Sequence, residues 1–465
     1  MRGTVTVTVH APTQPPHRAD TAAAQMAAVR AMEAQGWYSR GTVWTLRAAV
    51  WTGVAWWLGW RTAGILLTFA AITASSAVAV HHLADGRSRQ TVAWVGVALL
   101  AAALVGALVW PTPSWSLTVG AGVVVCHGVA LLLDTARRRA TPTWGTALAY
   151  VGQCPALPAG PLSRYADFAT AWQSPDVSIA SVGFGARRLA TGVVKLTMLA
   201  APMIDLVTIL TTQRLTRVSA DAAWLAAVAG ALASYVWLSG CADLAIGWGR
   251  LVGLRYVENV RRPYTARSWE EFWRRWNITL IAWCRDYAGW PVDGARRSLG
   301  GFVASLAGAG LAGCWHRGDW RAAAVWSPYV VGLLLLESVG WHRLLMRGGR
   351  AVAHAWMLLT VTVGAVLLWA PGPGPALGLL EAMAGQALVH HWTVPQYLTA
   401  GNTSALLVAL LSAGPLVPSI SRWRVSVDAA TTSVIMMSAA TGVLLWQWLW
   451  RAVAGGPHGG PRESR

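Results

Sequence analysis

QTVAWVGVALLAAALVGALVWPTPSWSLTVGAGVVVCHGVALLL, residues 90–133, decides the class of fold because it contains no Lys, Arg, Asp or Glu across 44 positions. The WPTPS segment at 110–114 interrupts this stretch near its middle. Each half therefore has about the 20 residues that a helix needs to cross a bilayer. Arginines flank both ends of the stretch, so the positive-inside rule predicts a helical pair with cytoplasmic ends and an outward-facing turn at WPTPS.

The rest of the chain has a similar composition. Of the 465 residues, 55% are hydrophobic and only 12% are charged, whereas a soluble domain usually has about 25% charged residues. Uncharged or apolar runs recur between residues 44 and 450. We therefore predict an all-α integral membrane protein with about ten to thirteen spanning or re-entrant helices. Its richness in Ala, Arg and Gly indicates a bacterial source, so the expected location is a bacterial plasma membrane, crossed many times.

Composition also divides the chain into three predicted parts. Residues 1–42 are expected to form a polar cytoplasmic tail, residues 43–452 a polytopic membrane domain, and residues 453–465 a disordered tail. The formal net charge is +18, but the arginines lie mainly in short loops between apolar runs. Membrane topology and anionic lipid headgroups explain this charge better than nucleic-acid binding does. No cysteine or histidine spacing typical of a disulfide framework or a metal site is present.

Polar residues are concentrated in EEFWRRWNITLIAWCRDY, residues 270–287. On a continuous helix its aromatic residues recur at spacings of three and four, so they share one face. Two Glu–Arg pairs at i,i+4 involve Arg274 and Arg275. This pattern predicts an interfacial or re-entrant helix that has Trp and Arg at headgroup level and carries Asn277 inward. An aromatic belt that only anchors the helix is the alternative.

Other polar residues lie in or beside apolar segments. His316 ends an uncharged run that begins at Ser298, and it is either a structural residue or a reactive one. Asp243 and Arg250 lie among glycines and are expected to form an intramembrane ion pair that shapes a cavity, because an unpaired charge there is unfavourable. The Pro- and Gly-interrupted segment 150–168 requires burial in protein or a wet cavity at membrane depth.

Five segments, taken together, resemble the bacterial branch of the membrane-bound O-acyltransferase family, which includes alginate O-acetylation membrane proteins and teichoic acid D-alanyl transferases. They cover roughly residues 148–340, in the family's order. The segments are CPALPAGPLSRYADF, GARRLATGVVKL, SGCADLAIGWGRLVG, EEFWRRWNITLIAWCRDY and AGCWHRGDW.

The resemblance implies a ring of tilted helices around a central funnel or tunnel, where a cytoplasmic acyl donor meets a hydroxyl acceptor. The family's invariant histidine corresponds to His316, which would act as general base. The family's second polar position corresponds to Asn277, which would position the reactants or stabilise the oxyanion. No tightly bound cofactor is expected. The donor would be an acyl-CoA or acyl carrier protein thioester.

Substrate-binding roles are predicted for side chains around these two positions. Basic residues near the cytoplasmic interface are expected to meet donor phosphates or an acidic carrier protein, although topology alone also explains them. The predicted substrate-binding residues are Arg274, Arg275, Trp276, Trp283, Arg285, Trp315 and Asp243. The chain departs from the family at WHRGDW, where bacterial members often have WHGASW, and in residues 288–301. Both departures leave the acceptor open.

The leading hypothesis is transfer of an acyl group such as acetyl to a hydroxyl of a polysaccharide, lipid or secondary metabolite. Membrane lipids and a partner protein that completes the transfer are the other expected partners. Two alternatives are a membrane conduit or transporter for an acyl group or metabolite, and a scaffold for a partner transferase. They differ from the enzyme at His316, because only the enzyme requires an imidazole there.

Overall fold

A computed structural model describes residues 40–58, 60–83, 85–109, 115–175, 177–212, 218–288, 299–317, 320–386, 398 and 400–413. These residues are almost entirely helical, and no β-sheet occurs among them. Most of the predicted tails, the WPTPS turn, the uncharged run at 429–450 and the departure at residues 318 and 319 lie outside the described residues. The domain boundaries therefore stay predictions.

Seventeen α-helices within the described residues are numbered in chain order. They are α1 Arg40–Leu58, α2 Trp60–His82, α3 Gly86–Val109, α4 Trp115–Ala136, α5 Trp144–Val151, α6 Tyr165–Gln173, α7 Ile179–Val194, α8 Ala201–Thr212, α9 Ala220–Leu251, α10 Trp269–Trp273, α11 Ile278–Tyr287, α12 Leu299–Arg317, α13 Trp320–Ser338, α14 Trp341–Arg347, α15 Arg350–Trp369, α16 Pro373–Met383 and α17 Ala400–Ala413. A π-helical turn, Lys195–Ala200, joins α7 to α8.

Membrane-length helices confirm the predicted class of fold. Five apolar segments within the described residues are long enough to cross a bilayer, and a sixth is formed if α13 and α14, which are bent by 66°, count as one broken span. Shorter apolar helices occupy Gly120–Ala136 and Gly401–Ala413. The chain is an all-α, multi-pass membrane protein, while the central funnel and the larger helix number stay predictions.

Helix α9 is the central element of the described core. It is largely buried and packs against α7, α8 and α15. Two glycine pairs allow α7 and α9 to approach closely: a Cβ on Gly192 would lie 2.9 Å from the Gly240 carbonyl oxygen, and one on Gly247 would lie 2.8 Å from the Gly185 carbonyl oxygen. Small residues at helix contacts are typical of membrane proteins, where backbones pack directly against each other.

The segment predicted as one continuous helix is instead two short helices, α10 and α11, with a break between them. Asn277 interrupts the helix in the left-handed conformation, with φ 45° and ψ 51°, a region that Asn tolerates better than most residues. The Ser268 hydroxyl caps α10 by accepting the Glu271 N–H at 3.0 Å. The Glu337 carboxylate fixes the same end by accepting the Trp269 and Glu270 N–H groups at 2.5 and 3.0 Å.

Three aromatic residues of this segment, Phe272, Trp273 and Trp276, are buried in the protein, which argues against a lipid-facing aromatic belt at these positions. The interfacial depth of the segment stays a prediction. Trp273 and Trp276 are 2% and 5% exposed. The Phe272 ring stacks on Trp276, with centroids 5.4 Å apart. The rings of α10 lie in the core, where Trp273 contacts Trp326 of α13 and the Trp269 indole donates to the Thr360 hydroxyl of α15.

Candidate active site around His316

His316 lies at the end of α12 and is 8% exposed. Its ring is 5.3 Å from the Trp276 ring and 5.9 Å from the Trp237 ring, centroid to centroid. The Trp276 indole N–H donates to His316 Nε2 at 3.0 Å. Because an indole nitrogen is a donor only, the neutral imidazole must hold its proton on Nδ1, a buried atom without a hydrogen-bond partner among the described residues. The indole therefore occupies the lone pair that a base would use.

A small cavity of about 40 Å³ adjoins the imidazole. Since a water occupies about 30 Å³ in the liquid, the cavity holds a group of only a few heavy atoms. Its lining is mostly aromatic and small apolar: Ala231, Ser234, Tyr264, Trp269, Phe272, Trp276, His316, Trp326, Val361, Gly364, Ala365 and Leu368. Such a lining offers few competing hydrogen bonds, so a polar interaction formed against it is stronger than in solvent.

Asn277, which follows Trp276 directly, is 1% exposed. Its Oδ1 accepts a hydrogen bond from Asn259 Nδ2 at 3.0 Å. Its Nδ2 is buried and has no hydrogen-bond partner among the described residues. An unpaired buried amide N–H group typically costs about 1–3 kcal/mol, so its presence requires an explanation, and a ligand at the site is one.

The contact between Trp276 and His316 gives a direct prediction. The substitution Trp276→Phe keeps an aromatic ring but removes the N–H, so the Nε2 lone pair becomes free. We expect diethyl pyrocarbonate, which attacks the unprotonated ring nitrogen, to modify His316 severalfold faster in membranes containing this variant, as measured by peptide mass spectrometry. Trp283→Phe is the matched control, because that indole donates to the Cys126 carbonyl oxygen at 2.8 Å. Equal rates in wild type and Trp276→Phe would contradict a hydrogen bond from the Trp276 indole to His316 Nε2.

The predicted arginines are not brought to His316. Arg274 pairs with Glu270 at 2.5 Å, and Arg275 pairs with Glu271, as the i,i+4 spacing indicated. Arg285 pairs with the neighbouring Asp286 at 2.9 Å. The side chains of Arg274 and Arg285 are 57% and 52% exposed, so each retains an open face.

Two of the predicted substrate-binding tryptophans, Trp283 and Trp315, donate to backbone carbonyls and are not part of the cavity lining. The Trp315 indole is 2% exposed and donates to the Ala159 carbonyl oxygen at 3.2 Å. Trp283 donates to a carbonyl of α4, as described above. A substrate-binding role for Trp283 and Trp315 stays a prediction, and their contacts favour packing.

Asp243 is 3% exposed, and its predicted pairing with Arg250 is wrong. Its two carboxylate oxygens instead accept from Arg188 Nη2 and Lys195 Nζ, both at 2.7 Å. Arg188 also pairs with Glu258 at 2.9 Å. The glycine contacts between α7 and α9 bring these groups together, whereas the Arg250 guanidinium lies 5.1 Å from the Phe184 ring.

Sequence reasoning missed several polar residues near the site. Asn259 is fully buried, and it bonds to both Asn277 and Thr279. His127 is also fully buried, and its Nε2 accepts the Ser163 N–H at 3.3 Å. A signal existed for His127, because a histidine within the uncharged stretch 90–133 requires a partner at membrane depth. Asn259 lies in an ordinary polar loop segment and gives no comparable signal.

These observations define the class: a multi-pass helical membrane protein with a buried histidine beside a small aromatic cavity. Residues 128–340, a little under half of the chain, match the model of the membrane-bound O-acyltransferase family. The resemblance inferred from the sequence is thereby confirmed over this region, which contains Asn277 and His316.

Individual relatives agree with the family match. The chain is 28% identical over 306 residues to the probable alginate O-acetylase AlgI of Azotobacter vinelandii, an alignment covering 64% of this chain and 59% of the relative. It is 29% identical over 148 residues to a peptidoglycan O-acetyltransferase of Helicobacter pylori, covering 32% and 26%. It is 33% identical over 49 residues to the teichoic acid D-alanyltransferase of Bacillus subtilis, covering 10% and 12%. The chain thus spans less than two thirds of the length of these relatives.

Proposed function

We propose that this protein is a membrane O-acyltransferase that moves a short acyl group, such as acetyl, from a thioester to a hydroxyl. The observation that carries the proposal is the unpaired, buried amide N–H group of Asn277, the residue that follows Trp276 in the sequence, while the Trp276 indole contacts His316. A base and an amide donor are the two groups that acyl transfer to an alcohol requires. The family match and the names of the relatives support the same reaction class.

In the proposed mechanism the acceptor hydroxyl displaces the Trp276 indole and gives its proton to His316 Nε2. The hydroxyl oxygen forms a bond to the thioester carbonyl carbon, and the carbonyl oxygen becomes an oxyanion. Asn277 Nδ2 donates a hydrogen bond to that oxyanion. The carbon–sulfur bond then breaks, and the departing thiolate takes the proton from His316. The products are an ester and a free thiol.

The size of the cavity supports a short acyl group. Its volume of about 40 Å³ suits a group of two or three carbons, whereas drug-sized ligands need about 300–1,000 Å³. Trp276 would contact both the acyl group and the base. A donor thioester carried by coenzyme A or by an acyl carrier protein would meet the exposed faces of Arg274 and Arg285. The relatives named for alginate and peptidoglycan favour a polysaccharide as acceptor.

The test is untargeted mass spectrometry of glycans, lipids and secreted metabolites from a deletion strain with and without the wild-type gene. We expect one ester-sized mass increment, most simply that of acetyl, to appear only with the gene. The increment names the acyl group, and the molecule that carries it names the acceptor. If the gene changes the transport of a metabolite but adds no ester, the protein is a conduit and the proposal is wrong.

A further inference from the structure

We infer that Asn259 is a positioning residue that fixes the Asn277 amide so that its N–H group, and not its oxygen, is presented to the substrate. This inference rests on the proposed function, because it assigns a cause to the oxyanion donor. It assigns a positioning role to a residue outside the segment 270–287.

Two hydrogen bonds from Thr279 fix the orientation of the Asn259 side-chain amide. The Thr279 backbone N–H can only donate, and it donates to Asn259 Oδ1 at 3.1 Å. The Thr279 hydroxyl accepts the Leu162 N–H at 2.9 Å and gives its own proton to the same Asn259 oxygen at 2.8 Å. Two donors thus converge on one atom of the Asn259 amide, and that atom must be the oxygen.

Once the Asn259 oxygen is fixed, its nitrogen must lie on the opposite side of the amide. Asn259 Nδ2 is 3.0 Å from Asn277, and an amide nitrogen next to another amide nitrogen would place two donors together. The Asn277 oxygen therefore faces Asn259 and is used there. The Asn277 nitrogen remains as the unpaired atom.

Main-chain hydrogen bonds hold the segments that carry Asn259 and Asn277 side by side. The Ile278 N–H donates to the Asn259 carbonyl oxygen at 2.9 Å, and the Arg261 N–H donates to the Arg275 carbonyl oxygen at 2.8 Å. Asn259 is fully buried, so water does not compete for these bonds. Asn277 can therefore offer hydrogens to a carbonyl oxygen but cannot accept a proton from the acceptor hydroxyl, which leaves that task to His316.

The test is the near-isosteric substitution Asn259→Asp. A carboxylate still accepts from Thr279, but its second oxygen now faces Asn277 and draws the Asn277 N–H group toward itself. The Asn277 oxygen then faces the substrate. We expect ester formation per copy of membrane protein to fall about 10²-fold, close to the loss in Asn277→Ala, which removes the donor outright. Ester is quantified by mass spectrometry early in induction, while it accumulates linearly.

A double-mutant cycle separates positioning from general structural damage. In the Asn277→Ala background, adding Asn259→Asp is expected to change the rate less than about threefold, since no amide remains to be oriented. An equal further loss in that background, or full activity of Asn259→Asp in the wild-type background, overturns the inference while leaving the proposed function intact. If Asn277→Ala itself is fully active, the proposed oxyanion donor and this inference both fail.

The variants must also reach the membrane. Should Asn259→Asp fail to do so, Thr279→Val takes its place, with Thr279→Ser as the control that restores the hydroxyl. Thr279→Val removes one of the two bonds that fix Asn259, so a loss of about tenfold is expected. That loss must be recovered in Thr279→Ser and must vanish in the Asn277→Ala background. The inference is wrong if Thr279→Ser shows the same loss, or if Thr279→Val still lowers the rate in the Asn277→Ala background.

Discussion

His316→Gln is expected to lower ester formation by about 10²- to 10⁴-fold, the usual contribution of a positioned base. Glutamine fills similar space, and its amide oxygen can accept the Trp276 N–H in place of the imidazole. The aromatic packing around residue 316 should therefore survive. What the variant loses is the ability of the imidazole to accept the proton of the acceptor hydroxyl and to return it to the leaving thiolate.

The measurement is ester formed per copy of membrane protein in the deletion strain, compared with wild type and with His354→Gln. His354 is a suitable control because it is half-buried and hydrogen-bonded: its Nδ1 lies 3.0 Å from the Ala266 carbonyl oxygen, and it is not part of the cavity lining. We expect the control to stay within about threefold of wild type. A fully active His316→Gln protein would exclude the imidazole as base and would favour the conduit or scaffold interpretation.

Asp243→Asn is expected to destabilise the folded protein by about 1.5–3 kcal/mol, because Lys195 loses its carboxylate partner and Arg188 keeps only Glu258. The substitution preserves shape and can still make one hydrogen bond. It cannot balance two cations on helices that the glycine contacts hold together. The purified protein should therefore unfold at a markedly lower temperature or denaturant concentration than wild type.

Asp286→Asn is the matched control for this second prediction. Asp286 also contacts two cations, Arg164 at 2.8 Å and Arg285 at 2.9 Å, but the side chains of those arginines are 61% and 52% exposed. Water and salt screen such pairs, so the expected loss is below about 1 kcal/mol. Similar losses in both variants would mean that the Asp243 cluster is solvated in the membrane protein.

The sequence identified the candidate reactive residues of the site but not how the backbone arranges them. Uncharged runs are sufficient to predict a helical membrane protein, because length and apolarity alone decide whether a helix spans a bilayer. His316 and Asn277 were identified through the family resemblance. The break at Asn277 was missed, because a spacing of three and four fits one continuous helix equally well. At the break, Asn277 contacts Asn259, which lies 18 residues earlier in the sequence, and no local pattern contains such a contact.

The error at Asp243 has a similar physical origin. Arg250 is close to Asp243 in sequence and lies on the same helix, so it was the natural partner by proximity. The true partners lie on α7 and at the start of the π-helical turn, 55 and 48 positions before Asp243 in the sequence. They meet Asp243 only because the glycines allow two helix backbones to touch, and such a contact between distant segments is not visible in a single sequence.

The hydrogen bond from the Trp276 indole to His316 also affects hydrolysis of the donor, a side reaction of acyl transfer. A thioester is prone to attack by water, and a base with a free lone pair would promote that attack whenever a donor is bound. In this protein the lone pair is held by Trp276, and the adjacent cavity has room for only a few heavy atoms. Under the proposed mechanism, only an acceptor that inserts a hydroxyl and displaces the indole can use the base. The tryptophan would then protect the donor from wasteful hydrolysis.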